Sequence, residues 1–596
     1  MMEMSKSKCL RALMGTLALA TAASTAAQSP ATWTAADRER LEQREAAIFP
    51  SAAANASSSK GLVSATASPI AVHAGVEVLR AGGTAADAAV ATAFTQITTM
   101  LGANVSFAGV AQLVYYDAKT HQVYAMDAGW NGWKGERSPA TIPSTDLSAL
   151  TGAAVDASGA AGRKTLVPGF MAGMSAMHAR FGRLPFGRLL APSIFYAKRG
   201  VPVTPLTAAY FPMAAGSLSQ TPEGRRFLMP DGAHQTKLGD RYASPQLVQL
   251  LKRIQAHGSS EMYQGRWAEH FVSAVNAAGG NATMADLADY RVRWTSPLDL
   301  HIGDVNVLSP GETNTAGCSM LTALNVLNHA GPEKPYWEDS QSFRTTALTL
   351  RLATVLGWST DAGAAVQQQL GTGADCPSRL TPEFGASAAG KLKTLLGGNA
   401  PPAVGHHSAS VVAIDRWGNV AALVHSSNTP LWGDTGLVVE GVPIPAPAGL
   451  YRNALIRLPA GGRVPSDMAP LIAIRAGKPV FAVATIGSSE VQEAVRVMDG
   501  LIHGKADPAT LLAAPPMLLN YEQMTGPVLA RDELVPAGRY SQAFLARVRS
   551  TGISVREVDL QRTMMLRGTL ALGIIRSDDA RAGAEAPQVL EFAEAQ

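Results

Sequence analysis

Ser408-Ala409-Ser410-Val411-Val412-Ala413-Ile414-Asp415-Arg416-Trp417-Gly418-Asn419 carries the pattern from which the architecture follows. A hydroxyl residue stands directly before an apolar strand. The strand runs into a Gly-Asn turn, and a second strand, Val420 to Val424, delivers Ser426 and Asn428. A chain cut before Ser408 would carry a hydroxyl and an α-amine on one residue. A nucleophile and its base would then be held together by covalent geometry alone.

Downstream, Leu471 to Arg475 and Val480 to Ala484 predict a second hairpin around Ala476-Gly477-Lys478. Gly487-Ser488-Ser489 then leads into a helix from about Glu490 to Leu501. At such a strand-to-helix junction, free backbone N–H groups and the helix dipole can stabilise a developing oxyanion.

Upstream, Ala35 to Ala47 predicts a helix, and order is not expected near Ser57-Ser58-Ser59. Ser68-Pro69 reads as a helix start that Gly82-Gly83 ends. Thr84 opens the next helix, with Asp87 three residues on as in a capping box. Ala85 to Ile97 is apolar all round and should be buried. Gln112 to Tyr116 and Gln122 to Met126 read as a strand pair, Met284 to Tyr290 as an amphipathic turn and Ala316 to Leu327 as an apolar helix. More helix is expected over residues 167–203. Residues 358–403, rich in Gly, Ala and Pro, read as a loose connector. No internal repeat is evident. Strand pairs and buried helices in both halves predict an α+β fold with helices layered over sheet.

The 596 residues are 47% apolar and 16% charged, a globular composition. Lys6, Lys8 and Arg11, the apolar run Leu13 to Ala23 and the small residues Ser24-Thr25-Ala26-Ala27 read as an export signal over residues 1–27. That run is too short to span a bilayer. Its removal takes three basic groups and Glu3, lowering the formal net charge from +4 to +2. So weak a balance, without a basic stripe, argues against a nucleic-acid partner. Only Cys318 and Cys376 then remain, and they could be bonded or free. No CxxC or HExxH motif appears, which argues against a zinc site.

The ordered set of segments resembles the γ-glutamyltranspeptidase family. It includes Ser64-Ala65-Thr66-Ala67-Ser68-Pro69, Ala74 through Ala88, Val167-Pro168-Gly169, Leu190-Ala191-Pro192-Ser193-Ile194 and Asp286 to Tyr290. The resemblance implies an N-terminal-nucleophile hydrolase in a four-layer αββα sandwich. It implies a proenzyme that cuts itself into a large segment, 28–407, and a small one, 408–596, which stay associated. It places Ser408 at the nucleophile, Ser426 and Asn428 at the family's second Thr and Asn, and Gly487-Ser488 at the oxyanion hole. Here the family's Thr-x-His becomes Ser-x-Ser. Ser410 would be the nucleophile only in a shifted register.

The head-group clamp departs further. The family's Arg-Glu pair is reversed in Gly135-Glu136-Arg137-Ser138-Pro139, leaving Arg137 as the counterpart. Its serine pair becomes Ser466-Asp467, and a carboxylate there would repel a substrate carboxylate. The paired aspartates are absent, with Glu440 as the substitute, and the Gly-rich loop becomes Asn104-Val105-Ser106-Phe107-Ala108-Gly109. The expectation is an exported amidohydrolase or acyltransferase acting on γ-glutamyl compounds such as glutathione, or on a related amide. Water, an amino acid or a peptide would be the acceptor, and neither cofactor nor metal is required. The alternatives are an amide or β-lactam acylase on the same fold, and an unprocessed pseudoenzyme acting as a periplasmic binding or scaffold protein.

His406, His407 and His425 raise a metal or general-base alternative. Neighbouring strand residues point to opposite faces, which opposes a shared ion. No G-x-S-x-G elbow supports a Ser–His hydrolase. Trp130, Trp133 and Trp432 are candidates either for lining a pocket or for anchoring loops.

Overall fold

The computed structural model describes residues 29–47, 55–143, 160–311, 313–357, 361–370, 375–392, 408–429, 431–520, 531–575, 581–584 and 591–596. Residues 1–27, read as an export signal, and His406 and His407 therefore lie outside the described residues.

Local signals account for the first helices. Thr34 caps α1 (Ala35–Ala46) by accepting from the Asp37 N–H. Ser68 caps α2 (Pro69–Arg80) through the Ala71 N–H. Thr84 and Asp87 form a reciprocal capping box at the start of α3 (Ala85–Thr99), which is buried along its whole length. An Ala-rich helix suits that position, since small side chains let it touch neighbours on every side.

Strands from both halves build two sheets. In chain order they are β1 (Asn55–Ser58), β2 (Leu62–Thr66), β3 (Val110–Asp117), β4 (Gln122–Ala128), β5 (Arg293–Thr295), β6 (Leu298–Ile302), β7 (Val305–Ser309), β8 (Ala409–Ile414), β9 (Val420–Ser426), β10 (Pro470–Arg475), β11 (Lys478–Gly487), β12 (Gly568–Ile575), β13 (Arg581–Ala584) and β14 (Glu591–Ala595). One seven-stranded sheet runs β14-β2-β8-β9-β3-β4-β5, and the other β1-β13-β12-β11-β10-β7-β6. The hairpin β10–β11 turns at Ala476 and Gly477, both left-handed, with φ of 49° and 75°. That geometry matches the twist of a two-residue hairpin.

The sheets meet face to face through Val412, Ile414, Val424, Ile472, Ala484 and Ile486. The outer face of the first packs on α2, α3 and α4 (Phe170–Phe181). The outer face of the second packs on α5 (Thr315–Ala330), α6 (Ser340–Gly357) and α7 (Glu490–Ile502). The fold is thus an α+β, four-layer αββα sandwich.

Two expectations are corrected. The stretch read as a loose connector holds helices at Asp361–Leu370, Cys376–Arg379 and Pro382–Lys391. Asp375 and Thr381 cap the last two, each followed by Pro in the first turn. The Ser57-Ser58 stretch, expected to lack order, lies in β1, which pairs with β13. Cys318 and Cys376 are bonded, tying α5 to the second of those helices. No described helix is long and apolar enough to cross a membrane.

Glu45 of α1 is buried and accepts from the Ser68 hydroxyl at 2.8 Å. Burial pushes its carboxyl up to about 7. Because the folded value is raised, its contribution to stability is full below the unfolded carboxyl range and is lost as pH rises through about 7. The difference between pH 5 and pH 8 is about 2–3 kcal/mol, at 1.36 kcal/mol for each pH unit separating the folded and unfolded titrations. Urea titrations at the two pH values should show that difference in the native chain and its loss in Glu45→Gln.

Candidate active site

Strand register brings the leading serines together. Ser410 lies opposite Val424 in the β8–β9 ladder, so two residues earlier Ser408 faces Ser426. The Ser408 hydroxyl donates to Ser426 Oγ at 2.9 Å. Ser426 Oγ also accepts from the Asn428 N–H at 2.8 Å. All three residues are buried. The loop at Asn104–Gly109 backs them: the Ser427 N–H donates to Asn104 O, and a Cβ on Gly109 would meet Ser426 O at 2.4 Å. Ser410 is placed differently. It is fully buried, its N–H donates to Thr66 Oγ1 at 2.8 Å, and the two hydroxyls lie 3.2 Å apart.

His425 lies on the helix-facing side of β9. Its Nε2 meets Gln96 Oε1 at 2.9 Å, and Nδ1 has no partner among the described residues. Burial pushes the imidazole down to about 3, so the ring is neutral. No described group of His, Cys, Asp and Glu could hold a metal ion.

Asn428 extends the cluster from a left-handed backbone, φ 46°. Trp130 Nε1 donates to its Oδ1 at 3.1 Å, which fixes the amide so that Nδ2 donates to Asp467 Oδ1 at 3.1 Å. The Tyr451 hydroxyl donates to the same oxygen at 3.0 Å. Burial and the Asp467 charge hold the Tyr451 phenol well above its ordinary range, so it stays a neutral donor. Glu490, the first residue of α7, is also held well above the usual carboxylate range, first by burial and then by Asp467. The sequence reading missed Tyr451 and Glu490. Trp133 and Trp432 anchor loops, donating to Thr165 O and Leu101 O.

Gly487 closes β11 at φ +95°, and a Cβ there would meet Arg567 O at 2.8 Å. Glu490, three residues on, lies close enough to Asp467 to feel its charge, which puts this junction near the Asn428–Asp467 pair. Ser488 follows, then α7, whose first N–H groups lack intrahelical acceptors. The junction therefore stands at the same end of the sandwich as Ser408.

The other candidate clamp residues are not gathered here. Ser466 Oγ accepts from the Met468 N–H at 3.3 Å, and its carbonyl accepts from Thr315 N at 2.8 Å. Arg137 is exposed and makes no ion pair among the described residues, while Glu136 pairs with Arg163 at 2.9 Å. Glu440 pairs with Arg253 and with His270 at 2.8 Å, so its carboxylate is already matched away from Ser408. Arg463, deeply buried, is engaged by Asp127 at 3.0 Å and by Asn131.

A family model described as Gamma-glutamyltranspeptidase matches residues 71–564. The chain is 34% identical over 224 residues to a glutathione hydrolase proenzyme of Pseudomonas aeruginosa. That match covers 37% of this chain and 38% of the relative, so the chain spans well under half of that relative's length. It is 26% identical over 508 residues to an acylase ACY 1 proenzyme of Pseudomonas sp. strain SE83, covering 83% of this chain and 87% of the relative. In fold it is similar to a cephalosporin acylase from Bacillus halodurans, with TM-score 0.72 and 21% identity over 92% of this chain and 98% of that one.

Proposed function

Because the chain belongs to the γ-glutamyltranspeptidase family, we propose that it is an exported amidohydrolase or acyltransferase that cuts itself between His407 and Ser408 and then uses Ser408 as its nucleophile. The supporting observation is the hydrogen-bond chain from the Ser408 hydroxyl to Ser426 and on to the Asn428 backbone. Ser426 holds the Ser408 rotamer, and residues 28–407 and 408–596 form the two segments.

After the cut, the free α-amine of Ser408 takes the hydroxyl proton as Oγ attacks an amide carbonyl. The C–O bond forms, and the carbonyl electrons move onto an oxygen facing Gly487-Ser488 and the start of α7. Those electrons return as the C–N bond breaks, and the amine passes its proton to the leaving nitrogen. Water or an amino compound then attacks the Ser408 ester and releases the acyl group. These steps need no metal or organic cofactor.

A nonstandard acyl group is favoured over γ-glutamyl, because the Asp467 carboxylate occupies the cluster where a substrate carboxylate would have to bind. The Cys318–Cys376 disulfide suits an oxidising compartment such as the periplasm or the exterior.

Purified protein should run as two chains on a denaturing gel. N-terminal sequencing of the smaller should read Ser-Ala-Ser-Val-Val. A single intact band after long incubation would instead favour the pseudoenzyme.

A further inference from the structure

We propose that Asp467 determines specificity at Ser408, selecting an acyl chain that ends in a cation such as a primary ammonium and rejecting one that ends in a carboxylate. This deepens the reading above and rests on Ser408 being the nucleophile.

Three hydrogen bonds join Asp467 to the nucleophile: Ser408 to Ser426, Asn428 N–H to Ser426, and Asn428 Nδ2 to Asp467. The carboxylate is thus built into the machinery that orients Ser408, within the span of a short acyl chain. Both side-chain donors, Asn428 and Tyr451, reach Oδ1. Oδ2 accepts none of the described hydrogen bonds, and the side chain is partly exposed, which leaves that oxygen for a ligand. Glu490, also partly exposed, faces Asp467 from the start of α7 and makes no described hydrogen bond or ion pair.

Elsewhere several enclosed carboxylates of this chain are matched by cations, whereas buried Glu45 is held by the Ser68 hydroxyl and the Ile70 N–H. Asp127 has Arg463, Asp434 has Lys164, Glu493 has Arg496 and Glu533 has Arg351. No Lys, Arg or His among the described residues lies within ion-pair distance of Asp467 or Glu490. Asn428 and Tyr451 satisfy Oδ1, while the charge at Oδ2 has no cation beside it among the described residues, and a cationic ligand would match it. An ammonium supplies both the charge and three N–H donors, whereas a carboxylate supplies neither. The acyl group is the part concerned. It stays bonded to Ser408 in the acyl-enzyme after the amine has left.

The test uses the matured full chain and three 4-nitroanilides with five-carbon acyl chains ending in an amine, a methyl or a carboxylate. The amine-ended substrate should exceed the carboxylate-ended one in kcat/KM by about 100-fold, mainly through KM. Asp467→Asn and Asp467→Ser should bring that ratio below about 10-fold. Equal or better use of the carboxylate-ended substrate by the native chain overturns the proposal, as does a ratio that survives both substitutions. Turnover that persists in Ser408→Ala refutes Ser408 as nucleophile, and with it the placement of Asp467 beside the reacting acyl group. If no anilide reacts, calorimetric binding of the three corresponding primary amides to the native chain decides. Tighter binding of the amine-ended amide supports the charge preference, and equal binding, the reverse order or no binding overturns it.

Discussion

Ser408→Ala is expected to remain a single polypeptide and to lose amide turnover by on the order of 10⁴-fold or more, the scale seen when a nucleophile is removed. Both effects follow from one atom. Oγ would attack the His407–Ser408 link during maturation and the substrate carbonyl afterwards. The residue is buried and donates one hydrogen bond, to Ser426. Its loss should lower stability by only about 1 kcal/mol. A folded, uncut and inactive protein is therefore the expected product, read by gel, thermal melt and anilide assay together. Ser408→Thr keeps a hydroxyl and should restore cutting. A Ser408→Ala chain that still splits would remove the nucleophile from this position.

Gly487→Ala should lower kcat by about 10²- to 10³-fold, the effect of losing an oxyanion donor. At φ +95° a side chain is strained, and the new Cβ would stand 2.8 Å from the Arg567 carbonyl. Residue 487 or the Arg567–Gly568 backbone must shift, and the N–H groups that follow would lose their aim. Such strain costs about 1–3 kcal/mol, so the melting temperature should fall modestly while kcat falls steeply. Unchanged kcat with lowered stability would place the oxyanion donors elsewhere.

Much of the site was legible because its logic is local. A strand of period two fixes Ser408 and Ser426 once the Gly418-Asn419 turn sets the register. Thr84 and Asp87 announce their helix by spacing alone. Tyr451 and Glu490 were not legible. They meet Asp467 from 16 residues upstream and 23 downstream, numbers that no periodicity links. Glu440 misled because chain order suggested an acid near the site, whereas Arg253 and His270 draw it toward other helices. The helices within 361–391 were hidden by Gly- and Ala-rich composition. Their signal lay in the Asp-Cys-Pro and Thr-Pro starts, which are capping patterns.

The sheet order β14-β2-β8-β9-β3-β4-β5 has a mechanical consequence. Strands from before and after Ser408 are interleaved like the fingers of clasped hands, so a cut at that point frees two ends without freeing two bodies. Dilution could not part the pieces, because separation would require opening entire ladders. Maturation at this link would therefore leave one assembly, and the cleaved protein would sediment as one particle.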